Sequence, residues 1–102
     1  MHHGLANGIM IDHVMRFNMD AAGAKMAELA RVCGAGTTAG DFVTWLAALK
    51  ARIGIPAKLA EKGVKAEHVP RLVEIAVADI CHQTNPKPCK AADFERIFRQ
   101  AI

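Results

Sequence analysis

Apolar residues recur along this chain at the three- and four-residue spacing of helix faces and nowhere alternate at the two-residue spacing of a strand. Met26, Leu29, Ala30 and Cys33 share one face of a segment that starts near Asp20, a suitable N-cap, and stops at Gly34, a suitable C-terminal glycine. After the connector "GAGTT", Thr38 and Asp41 stand at capping-box spacing. Phe42, Trp45, Leu46, Leu49 and Ile53 then form one stripe predicted to be buried, ended by Gly54 and Pro56. A short helix over Ala57 to Lys62 closes at Gly63. Another, from about Ala66, is expected to turn Leu72, Ile75, Ala76 and Ile80 inward, with Pro70 tolerated near its first turn. "QTNPKP" breaks the chain, and the last helix, from about Ala91, is expected to bury Phe94, Ile97, Phe98 and Ile102. The sum is an all-α fold, a bundle of five or six helices in a single domain over 1–102, without internal repeats or low-complexity segments.

The first helix has a different pattern. Leu5, Ala6, Ile9, Met10, Ile11, Val14, Met15 and Phe17 project in nearly every direction around its axis, and a helix apolar all round is normally buried on all sides. The remaining short helices are a thin wrapping for it. Part of its surface is therefore expected to face a further layer of protein, as in a piece of something larger.

Composition narrows the classes. A chain of 102 residues has room for one core, burying roughly 65% of the surface its unfolded form exposes. With 52% hydrophobic and 23% charged residues it is a folding sequence and not a disordered one. The net charge of +3 comes from 13 Lys and Arg interleaved with 10 Asp and Glu, and the single Trp and absent Tyr leave no aromatic, basic stripe for nucleic acid. Cys33, Cys81 and Cys89 form neither a CxxC nor an even set, so a disulfide framework and a four-thiolate zinc site are unsupported and a reducing, cytoplasmic setting is expected. No signal-peptide pattern opens the chain, and no apolar run approaches the roughly 20 residues that span a bilayer.

Candidate chemistry is sparse. His3 sits at the start of the first helix, followed by Gly4, a setting that suits a metal ligand on a rigid element, although spacing alone favours a tag remnant or a solvated histidine. His13 cannot share a metal with it, because ten residues of helix separate them by about 15 Å. Cys81 beside His82, with Cys89 beyond, matches no metal motif; Cys81 reads as a helix-end core thiol or as the lining of a pocket. "GAGTTAG" follows a helix and lacks a Walker lysine, so it is a connector and not a phosphate loop. Asp12, Asp79 and Asp93 are isolated and read as exposed or capping residues.

"HHGLANGIMIDHVMRFN" resembles the iron-containing alcohol dehydrogenases, in which HG-x-x-N-A, an apolar run and a Val-x-x-Phe/Tyr-Asn ending open a central helix of the C-terminal domain. "IGIPAKLAEKGV", "VPRLVEIAVADI" and "TNPKP" are similar to the closing segments of that family in the same order, so the resemblance covers essentially the whole chain. It implies that the chain is the C-terminal helical domain of a larger enzyme whose N-terminal nucleotide-binding domain, carrying the NAD(P) site and the other metal ligands, is absent here. It further implies a divalent metal, iron or zinc, with His3 as its last ligand by motif, and Cys81 in the substrate pocket. The implied reaction is hydride transfer between a primary alcohol or diol and NAD(P), with the metal as Lewis acid, in a homo-oligomeric enzyme. This chain alone is expected to be inactive and to bind neither group stably.

Departures from the pattern are Gly8 for the usual Ala, Asp12 for a common Pro, His2 for a frequent Pro, and Lys90 for the Ser or Thr that caps the final helix, a loss of about 1 kcal/mol if nothing substitutes. A competing reading is a free-standing helical module, derived from such a domain, that binds a partner helix or itself and needs no metal.

Overall fold

The computed structural model describes residues 3–102, so the reading of His2 lies outside the described residues. Helix α1 runs from His3 to Cys33 and is kinked at Ala22, whose φ of −122° and ψ of 21° leave the helical region. The two helices expected on either side of Asp20 are thus one run with a break, placed beside Gly23, where the backbone bends at low cost. Asp20 caps nothing; its Oδ2 accepts from Lys87 Nζ at 2.8 Å. Gly34 ends α1 with a φ of +72°, as a C-terminal glycine should.

Helix α2, Ala39–Arg52, starts on the expected capping box: Asp41 N–H donates to Thr38 Oγ1 at 3.1 Å while Asp41 Oδ2 accepts from Thr38 N–H at 3.1 Å. Helices α3, Val69–Ala78, and α4, Ala91–Gln100, follow, with 3₁₀ turns at Leu59–Lys62, Ala66–His68 and Ile80–Thr84. The class is all-α, with no strand among the described residues. At the start of α4 the cap hydroxyl is not replaced, since Lys90 gives no side-chain cap, and only the reciprocal bond is present: Asp93 Oδ2 accepts from Lys90 N–H at 3.0 Å.

Helix α1 packs against α2, and α3 against α4. One core cluster joins Met26 and Ala30 of α1 to Phe42 and Leu46 of α2. The second gathers Ile9, Leu59 and Ala101, with Leu5, Ile55 and Phe98 around them. Between the helices lies an ion pair that reading the charges one by one missed. Lys50 is 4% exposed, and its Nζ donates to Ile9 O at 2.6 Å and to Asp12 Oδ1 at 2.5 Å. Asp12, expected at the surface, is buried because α2 brings a cation to it from 38 residues away.

Several stripe residues are also placed differently from expectation. Ile53 is 62% exposed, Ile75 52% and Ile80 74%, and Leu29 and Cys33 face outward as well. Ile97 is buried, while Phe94, Phe98 and Ile102 are half-buried. Helical periodicity assigns a residue to a face, but that face is covered only where another element reaches it. No described helix is long and apolar enough to cross a membrane.

The loop after the last 3₁₀ turn is fastened to α1. Asn18 and Asn85 exchange amide hydrogen bonds at 3.0 and 2.7 Å, and Asn85 Nδ2 also donates to Lys87 O at 2.6 Å. Lys87 then lies over the Phe17 ring, 4.5 Å from its centroid, on the way to Asp20. The two motif ends "RFN" and "TNPKP" are therefore one tertiary contact.

Candidate functional site

The first turn of α1 presents His3 as an exposed side chain, and Asn7, one turn on, donates from Nδ2 to His3 Nε2 at 3.2 Å. Nε2 is thus the ring nitrogen that faces Asn7, and in the tautomer protonated at Nδ1 it carries a lone pair. From Asn7 the helix continues with Met10, Val14 and Phe17, spaced to fall on one stripe about 15 Å long. That stripe is one wall of a cleft of about 550 Å³, within the usual size range of small-molecule sites. The other wall is built from the Ile80–Thr84 turn, the loop after it and α4, and includes Cys81, His82, Cys89 and Phe94.

The loop is held against α1 by the Asn18–Asn85 pair, and the turn is held by Asp79, whose Oδ1 accepts from Cys81 N–H at 2.9 Å. The contact has electrostatic consequences. Hydrogen bonds from the Cys81 backbone and thiol hold the Asp79 carboxyl below the ordinary carboxylate range, and Asp79 pushes the Cys81 thiol above its ordinary value. Burial, reinforced by Asp93, raises the Cys89 thiol. Both residues therefore line the cleft as neutral thiols and not as thiolate nucleophiles. His82 sends its Nε2–H to Val77 O at 3.1 Å and sets its ring edge-on to Phe94, with centroids 5.4 Å apart.

His13 is a structural tie, donating from Nε2 to Ala57 O at 3.0 Å. The connector at Gly34 behaves as one, with Gly36 at a φ of +142° beside the Asp41 carboxylate. Among the described residues no three His, Cys, Asp or Glu side chains gather where they could hold a metal. The start of α1 offers one exposed imidazole, a donor type that borderline divalent ions accept.

Of the two residues singled out in the sequence, Cys81 lines the cleft, while His3 lies outside its lining and touches it only through Asn7. In the sequence His82 stands only as the neighbour of Cys81, and Asn7, Phe17 and Asn85 only as parts of motifs or stripes with no role assigned. The stripe from Asn7 to Phe17 was available as spacing, but the all-round apolarity of the helix hid which of its faces lines a cavity. The partners of Asn85 and His82 exist only in three dimensions.

The first turn of α1 thus sets an exposed imidazole one turn before Asn7, the first residue of the stripe that lines an apolar cleft. The chain belongs to the Fe-containing alcohol dehydrogenase family, whose C-terminal part it matches over residues 1–102. Lactaldehyde reductase of Escherichia coli (strain K12) is 34% identical over 106 residues, covering 97% of this chain and 28% of that protein. 1,3-Propanediol dehydrogenase of Citrobacter freundii is 35% identical over 109 residues, covering 100% of this chain and 28% of that protein. The crystal structure of a 1,3-propanediol oxidoreductase superposes with a TM-score of 0.94 at 33% identity, over all of this chain and 28% of that one. The chain thus spans about 28% of the length of the curated relatives it matches.

Proposed function

We propose that this chain is the C-terminal metal-site domain of an NAD(P)-dependent alcohol dehydrogenase that interconverts primary alcohols or diols and the corresponding aldehydes. In that reading an N-terminal nucleotide-binding domain completes the enzyme, and the chain by itself is inactive. The observation that carries it is the placement of His3 on the helix whose next turns line the cleft, with Asn7 linking the imidazole to the cleft. His3 would hold the metal through Nε2, giving up the Asn7 hydrogen bond as it does so. When bound, a divalent iron or zinc would supply Lewis-acid polarisation of the substrate oxygen, and a nicotinamide would supply the hydride chemistry. The chain's own part is to orient and to exclude water. The Asn7–Phe17 stripe, Cys81 and the α4 aromatics form a dry wall for the substrate's carbon chain, and the neutral thiols leave the carbonyl group unattacked.

The test is a chimaera in which this chain replaces the matching segment of the Citrobacter freundii enzyme. NAD(P)-linked alcohol oxidation by the chimaera, with none by the lone chain, is the expected result. Turnover by the lone chain, or none by a folded chimaera, counts against the reading. The exposed Ile75, Val77 and Ile80 favour a second reading as an interaction module. There, His3→Ala leaves partner binding unchanged, whereas in the dehydrogenase it abolishes turnover.

A further inference from the structure

The cleft differs from a general polar active-site pocket in how its polar side chains are employed. Thr84 Oγ1 donates to Cys81 O at 3.2 Å, and His82 Nε2 is engaged by Val77 O at 3.1 Å. The Asn85 amide is shared between Asn18 and Lys87 O. Among the described lining residues there is no Lys, Arg, Asp or Glu. What faces the space is Met10, Val14 and Phe17 from one side and Phe94, Ile97 and Phe98 from the other. The polar group still tied to chemistry is Asn7, at the end nearest His3.

We infer that the cleft selects uncharged primary alcohols and aldehydes with an apolar tail over diols and hydroxy acids, the hydroxyl end lying by Asn7 and the tail running toward Phe17. The inference rests on the dehydrogenase reading for its chemistry and on the lining for its selectivity. A second hydroxyl, or a carboxylate, at the far end of the substrate would leave water for the apolar faces of Phe17, Ile97 and Phe98, where the nearby cations Lys87 and Arg96 are already paired with Asp20 and Asp93. Each added methylene, by contrast, exchanges water for apolar side chains.

The test is binding of defined probes to the isotopically labelled 102-residue chain, read by nuclear magnetic resonance. Dissociation constants for 1-butanol, 1-hexanol and 1-octanol should fall by about fourfold per methylene, with shifts centred on Val14, Cys81 and Phe98. 1,6-Hexanediol and 6-hydroxyhexanoate should bind at least about tenfold more weakly than 1-hexanol, the equivalent of one unpaired polar group. Cys81 and Thr84 are exposed positions on a turn, so variants there spare the core. Cys81→Trp should fill the space and abolish alkanol binding, and Thr84→Lys should bring in 6-hydroxyhexanoate. Affinity independent of chain length, equal binding of the hexanediol, or alkanol binding that survives Cys81→Trp overturns the inference. Because binding is read and not turnover, the two proposals fail separately. A wrong dehydrogenase reading leaves alkanol binding intact with an inactive chimaera, whereas a wrong selectivity leaves an active chimaera without the chain-length dependence.

Discussion

Replacing Asp12 with Ala strands a buried cation. Lys50 is 4% exposed and its ammonium has two described acceptors, the Asp12 carboxylate at 2.5 Å and the Ile9 carbonyl at 2.6 Å. Removing one partner of a buried ion pair costs about 3–5 kcal/mol, because the remaining charge stays desolvated without compensation. The Asp12 side chain retains 11% of its exposure, so water can partly replace it and about 3 kcal/mol is expected. That is a large part of the roughly 5–15 kcal/mol that holds a domain of this size. Lys50→Met should carry a similar cost by stranding the carboxylate, since the nearby His13 Nε2, 3.9 Å away, is bonded to Ala57 O. Asp12→Ala with Lys50→Met removes both charges and should cost less than the two singles summed, by about 2 kcal/mol or more. Urea denaturation followed by helical circular dichroism measures all four corners of this cycle. If Asp12→Ala proves too unstable to fold, Asp12→Asn, which keeps an acceptor, supplies the corner. A cost below about 1 kcal/mol for each single, with additive behaviour in the double, would refute the claim that this pair joins α1 to α2.

Three further outcomes are expected. Asn85→Ala breaks the reciprocal amide pair with Asn18 and should destabilise the chain by about 1–3 kcal/mol; hydrogen exchange should accelerate in residues 80–90, and unchanged exchange there would contradict the clamp. Gly36→Ala places a methyl group against the Asp41 carboxylate at a φ of +142° and should be clearly worse than Gly34→Ala, whose Cβ meets nothing within 4 Å; equal melting temperatures would contradict it. The carboxyls of Asp20, Asp41 and Asp79 are all lowered from their ordinary value of 3.8 in the folded chain, by Lys87, by Thr37 and Thr38, and by Cys81. The unfolded chain therefore binds more protons in acid, and their stabilisation is fully present above about pH 4 to 5 and lost as the pH falls through the lowered values. Replacing all three with Asn should flatten the acid limb of a stability–pH curve, and an unchanged limb would count against these contacts.

Local chemistry was legible in the sequence, and pairings across the fold were not. The Thr38–Asp41 cap and the Gly34 stop depend on a few adjacent residues, and both appear where the spacing put them. Asp20 had the composition of an N-cap, but a neighbouring glycine relieves the backbone at Ala22 and Lys87 takes the carboxylate, so the helix continues through it. Ile53, Ile75 and Ile80 carry the same apolar signal as Leu46, and only the presence or absence of an opposing element separates their burial. Asp12 and Lys50 look like solvated charges one at a time, since 38 residues divide them. The candidate site follows the same rule. His3 and Cys81 stood out through motif resemblance, while Asn7, Asn85 and His82 gain their roles from hydrogen bonds that the folded chain alone creates.

The central claim is that His3 is one ligand of a metal site shared with another part of the enzyme. Its most direct test is the metal content of the chimaera carrying this chain, measured by inductively coupled plasma mass spectrometry, with His3 intact and as His3→Ala. The account predicts close to one iron or zinc per chain in the first, and metal affinity lowered by more than about a hundredfold in a second protein that remains folded by circular dichroism. A His3→Ala chimaera that keeps its full complement of metal would contradict the account.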